Sequence, residues 1–305
     1  KIFLLLLFLG CGGMLLGVPA RRGVINKTLP DGTTLPVQVY GDEWFHYVTT
    51  LDDYVIAQKE DGFYYYVDFS SLGERVITDM RANALGKRDS QELAFLSRRS
   101  KGVPAGVKRV IRSRGVERSA QMSAQKTFMA KGSPKVLVVL AEFQDVKFTI
   151  PSPQQAFYDL ANQEGYSANG GTGSVRDYYR DNSCGLFDPD FVVVGPYNLG
   201  KPMKYYGAND GNGSDLRPYE MVYDACRIAS ENGVSFHQFD TDGDGILDNV
   251  FIYYAGYNEA ELGPEESIWP HRHTVLPYNF VVDGVQLGEY ACTSELCGYE
   301  GSDMA

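Results

Sequence analysis

The stretch FDTDGDGILDNVFIYYAG, Phe239 to Gly256, decides how the second half of the chain is read. Asp240, Asp242, Asp244 and Asp248 fall within nine residues, beside Gly243 and Gly245, and an apolar run starts at Val250. A hard cation such as Ca²⁺ takes about six to eight oxygen ligands from a loop that can curl around it. Carboxylates at Asp240, Asp242 and Asp244 alternate inward as such a backbone winds. Gly245 stands sixth, where an EF-hand loop turns sharply, the carbonyl of Ile246 seventh and Asp248 ninth. The twelfth position is Phe251, where an EF-hand has its bidentate Glu, and the run that follows reads as a strand, not a helix. The expectation is a structural Ca²⁺ loop, with Asp240, Asp242, Asp244, Ile246 and Asp248 as ligands, in a fold other than the EF-hand. The competing reading is a polar Asp/Gly turn. Four like charges this close repel unless neutralised, which favours the cation.

Working outward, SDLRPYEMVYDACRIASENG (214–233) reads as a helix. Tyr219, Val222, Tyr223, Cys226 and Ala229 recur at three- and four-residue steps, and Gly233 follows the end. KVLVVLAEF (135–143) is a continuous β-branched and leucine run, as expected of a strand buried on both faces. A helix is expected after Pro153, and a shorter one from about Ser174, followed by a strand at Phe191–Val194. Further β segments are expected at Tyr278–Val282 and Val285–Cys292. Strands alternating with helices make residues 134–305 an α/β unit.

The preceding residues differ. From Arg21 to about Leu96, short alternating runs are broken by PDG, GDE, LDD and EDG, the pattern of a small antiparallel β unit. Residues 97–133 are basic, rich in Ser, Gly and Ala, and poor in large apolar residues, which reads as a linker open to proteolytic nicking. Residues 1–20 carry a positive start, an apolar stretch and small residues near Ala20, the pattern of a secretory signal cut at Ala20–Arg21. Cys11 leaves a lipoprotein anchor as the alternative. The first residue is not Met, and both ends read as cut from a longer protein.

The chain has 305 residues, 44% hydrophobic and 22% charged, which is globular composition. Its net charge of -11 argues against nucleic acid and anionic membrane surfaces as partners. Cys184, Cys226, Cys292 and Cys297 follow the signal. In an exported chain they permit either buried thiols or disulfides, with Cys292 and Cys297 close enough for a small bridge.

The ordered set KVLVVLAEFQDVKF (135–148), SVRDYYRDNSCGLFD (174–188), VVGPYNL (193–199), the Asp loop, and SIWPHRH (267–273) resembles the secreted zinc metallopeptidases of the immune inhibitor A type. GDEWFHYVTTLDDYVIAQKEDGFYYYV (41–67) is similar to the amino-terminal region of bacterial members. The resemblance implies a zincin-like α/β (α+β) subdomain behind a propeptide-like β domain. It also implies an exported endopeptidase acting on proteins or peptides through Zn²⁺-activated water. That chemistry needs H-E-x-x-H on a helix. The sequence has no such motif: its histidines are His46, His237, His271 and His273, and none precedes a Glu. The family's zinc helix is expected after the segment resembling GEYACTSELCGYEGSDMA (288–305), so no catalytic residue is assigned. His271 and His273 would share one face of a strand, although such a pair is more often structural. His46 reads as a packed strand residue, and the Glu259–Glu266 segment as a solvated acidic loop. Ser-His-Asp chemistry fits poorly, because no G-x-S-x-G is present. The alternative function is a non-catalytic, Ca²⁺-stabilised exported binding or adhesion protein.

Overall fold

The computed structural model describes residues 19–42, 45–70, 73–108, 131–210 and 213–298. Residues 1–18 of the expected signal and most of the expected linker lie outside the described residues.

Residues 25–81 form a six-stranded antiparallel meander in sequential order: β1 Ile25–Thr28, β2 Thr34–Asp42, β3 Phe45–Thr50, β4 Val55–Gln58, β5 Tyr64–Phe69 and β6 Arg75–Arg81. Alternation sets its faces. Leu35, Val37 and Val39 on β2 are buried while their neighbours reach solvent. Helix α1, Ser90–Leu96, is capped by the Asp89 side chain, which accepts the Glu92 N–H at 2.8 Å. It closes a core of Leu35, Val37, Ile56, Tyr64, Tyr66 and Leu96. The chain beyond Leu96 stays on this unit: Val103 and Val107 are buried against Val55 and Val67, and Arg99 pairs with Asp68 at 2.9 Å. The amino-terminal packing therefore extends past the composition boundary at Leu96.

The second unit is a mixed α/β layer structure. Its five-stranded sheet has the order β10-β13-β9-β7-β8. The strands are β7 Lys135–Glu142, β8 Asp190–Asn198, β9 Val250–Tyr254, β10 His271–Thr274 and β13 Glu289–Ser294. β7 runs parallel to β8 and β9, β13 is parallel to β9, and β10 is antiparallel to β13. Leu137 to Ala141 are all buried, as the apolar run at the centre of a parallel sheet requires. One face packs on helix α5, Pro218–Glu231, through Met221, Val222, Ala225, Cys226 and Ala229. The other meets α2, Pro153–Asn162, and α3, Val175–Asn182; Val138, Leu140, Phe191 and Val193 cluster there with Phe157 and Ala161. A short helix, α4, covers Met203–Gly207. α3 carries the capping box that Ser174 announces: its side chain accepts the Asp177 N–H, and the Asp177 carboxylate accepts the Ser174 N–H. The segment expected as one strand over Tyr278–Val282 is a 3₁₀ turn at Leu276–Tyr278, then β11, Val281–Val282, paired with β12, Val285–Gln286. Pro277 fixes its own φ and lacks an N–H, which favours the turn.

The two units share a small apolar cluster. Ala20, Ile25 and Val39 pack with Ala260, Leu262 and Trp269. The Arg21 N–H donates to the Ala260 carbonyl at 2.9 Å, and Lys27 Nζ donates to the Leu262 carbonyl at 2.8 Å.

Candidate metal centre

The Asp loop spans the gap between a 3₁₀ turn at Phe236–Phe239 and β9. Buried apolar side chains hold both ends: Phe236 and Phe239 before it, Leu247 within it and Val250 after it. The loop is also zipped to β12. Gln286 N–H donates to the Gly245 carbonyl at 2.9 Å, and Leu247 N–H donates to the Gln286 carbonyl at 2.8 Å. That pairing uses the carbonyl of Gly245 and not that of Ile246. Gly245 has φ +83°, a left-handed conformation that lets the chain reverse between Asp244 and Ile246.

With its ends fixed, the loop gathers its carboxylates. Ligand atoms of Asp240, Asp242 and Asp244 lie within 4.8 Å of one another; Asp240 is half-buried and the other two are exposed. Backbone amides brace them. Asp240 accepts the N–H groups of Asp244 at 3.1 Å and Gly245 at 2.9 Å, and Asp244 accepts that of Ile246 at 2.9 Å. Asp248 is outside this group. Its carboxylate accepts the Thr241 N–H at 3.0 Å and the Thr241 hydroxyl. Three converging hard oxygens suit Ca²⁺ in donor chemistry.

Zinc finds no comparable set. Among the described residues, the Asp240–Asp242–Asp244 group is the only set of three His, Cys, Asp or Glu side chains that converge. His237 is exposed on its 3₁₀ turn. His271 is buried on β10, with Nδ1 at 2.6 Å from the Trp269 carbonyl and Nε2 at 2.6 Å from the Tyr290 hydroxyl. Burial pushes its pKa down to about 4, so the ring is neutral at pH 7. His273 Nδ1 lies against the Thr274 backbone. The pair thus supports the β10–β13 contact, and no third ligand joins it.

None of the four cysteines in the second unit is in a disulfide, so the small Cys292–Cys297 bridge is not formed. Cys292 is buried, with Sγ at 3.6 Å from His271 Nδ1, an approach that their separation of 21 residues conceals. Burial raises the Cys226 thiol pKa strongly, leaving an inert core thiol. The acidic segment after β9 departs furthest from the solvated loop expected of it. Glu259 is 7% exposed and lies 2.9 Å from His46 Nε2, across the boundary between the units. Glu295, which drew no notice in the sequence, accepts the Thr149 N–H at 2.7 Å, the Thr149 hydroxyl at 2.9 Å and the Ile150 N–H at 2.9 Å.

Residues 123–293 match the family model described as "Immune inhibitor A peptidase M6, catalytic domain", a stretch that holds the Asp loop and almost all of the five-stranded sheet. The chain is similar to "Immune inhibitor A" of Bacillus thuringiensis subsp. alesti, 28% identical over 187 residues, which cover 50% of this chain and 27% of that protein. It is also similar to "Pre-pro-metalloprotease PrtV" of Vibrio cholerae serotype O1 (strain M66-2), 24% identical over 190 residues, covering 51% of this chain and 21% of that protein. The chain thus spans about a quarter of the length of these relatives.

Proposed function

The chain belongs to the immune inhibitor A peptidase M6 family, and on that premise we propose that it forms the front part of an exported, zinc-dependent endopeptidase that hydrolyses proteins. The observation that carries the reading is the match of the catalytic-domain model to the α/β unit built on β7, β8 and β9. A zincin-like subdomain is the architecture we infer for that unit. Zinc, when bound, would supply activated water. The described residues contain no zinc-binding set.

This chain's own residues supply the scaffold. In our reading Asp240, Asp242 and Asp244, with the Ile246 carbonyl, hold a structural Ca²⁺ that pins the Phe236–Phe239 turn to the start of β9. The amino-terminal sheet is propeptide-like in this reading, joined through the basic linker. The apolar leader before Arg21 supports export, and no helix among the described residues is long and apolar enough to cross a membrane.

The test uses the full-length gene product beside the 305-residue chain. Casein hydrolysis by the full-length product, abolished by a zinc chelator and restored by Zn²⁺, is expected, with none from the 305-residue chain. A full-length product that stays inactive with Zn²⁺ and after cleavage of the linker would leave the non-catalytic binding protein as the better account.

A further inference from the structure

The boundary between the two units buries polar groups that neither the fold nor the metal loop requires. His46 on β3 and Glu259 after β9 are 3% and 7% exposed, and His46 Nε2 lies 2.9 Å from Glu259 Oε1. The imidazole stacks on the indole of Trp269, ring centroids 4.1 Å apart. Asn209 Nδ2 donates to the same Glu259 oxygen at 2.8 Å, whereas Glu259 Oε2 has no partner. The charged and titratable groups facing the pair are Lys27 from β1, Asp42 from β2, Tyr64 from β5, Arg75 from β6, Asp215 from the segment before α5, Tyr254 from β9 and Glu265 from the loop after it, while Asp210 acts on Arg75 and Asp215. The nearby cations are engaged with backbone: Lys27 donates to the Leu262 and Gly263 carbonyls, and Arg75 to the carbonyl of His46. A bare carboxylate at Glu259 would therefore leave a charged oxygen buried without a hydrogen bond, a costly arrangement.

We propose that the amino-terminal sheet is held on the second unit by a proton-linked latch, in which Glu259 and His46 share one proton across the boundary when the two surfaces close. The Glu259 carboxyl donates to the imidazole, and both side chains remain neutral. Separation exposes them to water, where each titrates ordinarily, near 4.5 for Glu and 6.5 for His. In the closed contact, burial pushes Glu259 up to about 8, and burial followed by the Arg75 charge pushes His46 down to about 3.

The sign follows from counting protons on the pair. Between pH 4.5 and 6.5 the separated pair is Glu⁻ with His⁺ and the closed pair is neutral, so each holds one proton and closure is independent of pH. Above 6.5 the separated pair loses its proton and the closed pair keeps it until about 8. Closure therefore weakens about tenfold per pH unit, to about thirtyfold. Below 4.5 the separated pair gains a second proton that the closed pair refuses until about 3, and closure weakens again. The count does not depend on how the proton is divided within the pair.

Hydrogen exchange of the 305-residue chain with residues 1–20 retained, so that Arg21 keeps its amide, tests the latch at the Arg21 N–H, whose bond to Ala260 crosses the boundary. Rates are corrected for intrinsic exchange and compared with amides of β5 and β7, which report unfolding of either unit. In Glu265→Gln, which removes the other boundary carboxyl that burial pushes up to about 7, the opening constant should be flat from about pH 4.5 to 6.5 and rise about thirtyfold by pH 8, without a matching change in β5 or β7; in the parent, Glu265 adds a rise of its own below pH 7. Glu259→Gln, neutral at every pH, should lose the alkaline rise and instead open more as pH falls below 6.5, where His46 alone gains a proton on separation. His46→Gln should lose the acid rise, which provides a second reading should the first variant fold poorly. The Glu259 and His46 variants are read in that background. A Glu265→Gln profile flat from about pH 6 to 8.5, or an alkaline rise that survives Glu259→Gln in that background, would overturn the proposal.

Discussion

Asp248 turns back on Thr241 and not toward the other loop carboxylates: it accepts the Thr241 N–H at 3.0 Å and its hydroxyl, while Asp240, Asp242 and Asp244 converge without it. One sequence pattern thus contains two kinds of carboxylate. Three are braced by backbone amides and open to a cation, and one closes the loop on itself.

The two kinds should separate in calorimetry. Asp242→Asn or Asp244→Asn removes a converging charge and should abolish most of the rise in melting temperature that Ca²⁺ gives the parent, with little change in EGTA. Asp248→Ala leaves the Thr241 donors unpaired and should destabilise by about 1–3 kcal/mol with or without Ca²⁺. A parent melting curve that Ca²⁺ and EGTA leave unmoved would make the loop a turn only.

Glu295 joins the end of β13 to the loop after β7. Its carboxylate accepts from Thr149 N–H, Thr149 Oγ1 and Ile150 N–H, and from the Gly256 N–H at 3.2 Å. Hydrogen bonds to a charged acceptor contribute about 1.5–3 kcal/mol each at most, and neighbouring ones do not add fully. Glu295→Ala should therefore lower stability by about 2–4 kcal/mol in urea titration and deprotect the Thr149 and Ile150 amides. Glu295→Gln, which keeps one acceptor oxygen, should lose about half as much.

The α/β layering was legible because apolar periodicity records burial directly. The run Val136–Ala141, the α5 face at Val222, Cys226 and Ala229, and the Ser174 capping box each carry their structure within a few residues. The family was legible from several such segments in a fixed order. His46–Glu259 was not, because 213 residues separate partners that only the packing of two units brings together. Glu259 looked solvated for the same reason: nothing near it in sequence announces His46 or Asn209 as neighbours. Pro277, just ahead of the expected Tyr278–Val282 strand, could have signalled a turn that delays its start, since proline has no N–H to give a sheet ladder.

In the amino-terminal unit, Glu92 is 1% exposed and gathers three donors: Tyr66 Oη at 2.6 Å, Asn83 N–H at 2.9 Å and Asn83 Nδ2 at 2.8 Å. Burial, followed by the Glu92 bond, raises the Tyr66 pKa strongly, so the phenol stays a donor across ordinary pH. Glu92→Ala strands all three donors and should cost about 3–5 kcal/mol, melting the β unit below the second unit in calorimetry. Tyr66→Phe removes one donor and should cost about 1–2 kcal/mol. Equal losses for the two variants would mean that α1 is held by its apolar contacts alone.

Cutting the linker should not by itself release the amino-terminal sheet. Trypsin sites are dense across residues 98–131, and among the described residues the contact between the units is carried elsewhere. It is made by the Arg21 N–H on the Ala260 carbonyl, Lys27 on the Leu262 carbonyl, the Ala20–Ile25–Val39 cluster against Ala260, Leu262 and Trp269, and the His46–Glu259 pair. Nicked protein should therefore co-elute as one species on gel filtration near pH 6 and separate only at alkaline pH or in mild denaturant. In the full-length product, cleavage alone should leave casein hydrolysis low near pH 6, and activity should rise once the sheet has left. Immediate separation of the fragments at pH 6 would show that the linker, and not the buried contact, keeps the units together. Unchanged activity after complete separation would reject the propeptide-like reading of the sheet while leaving the contact itself intact.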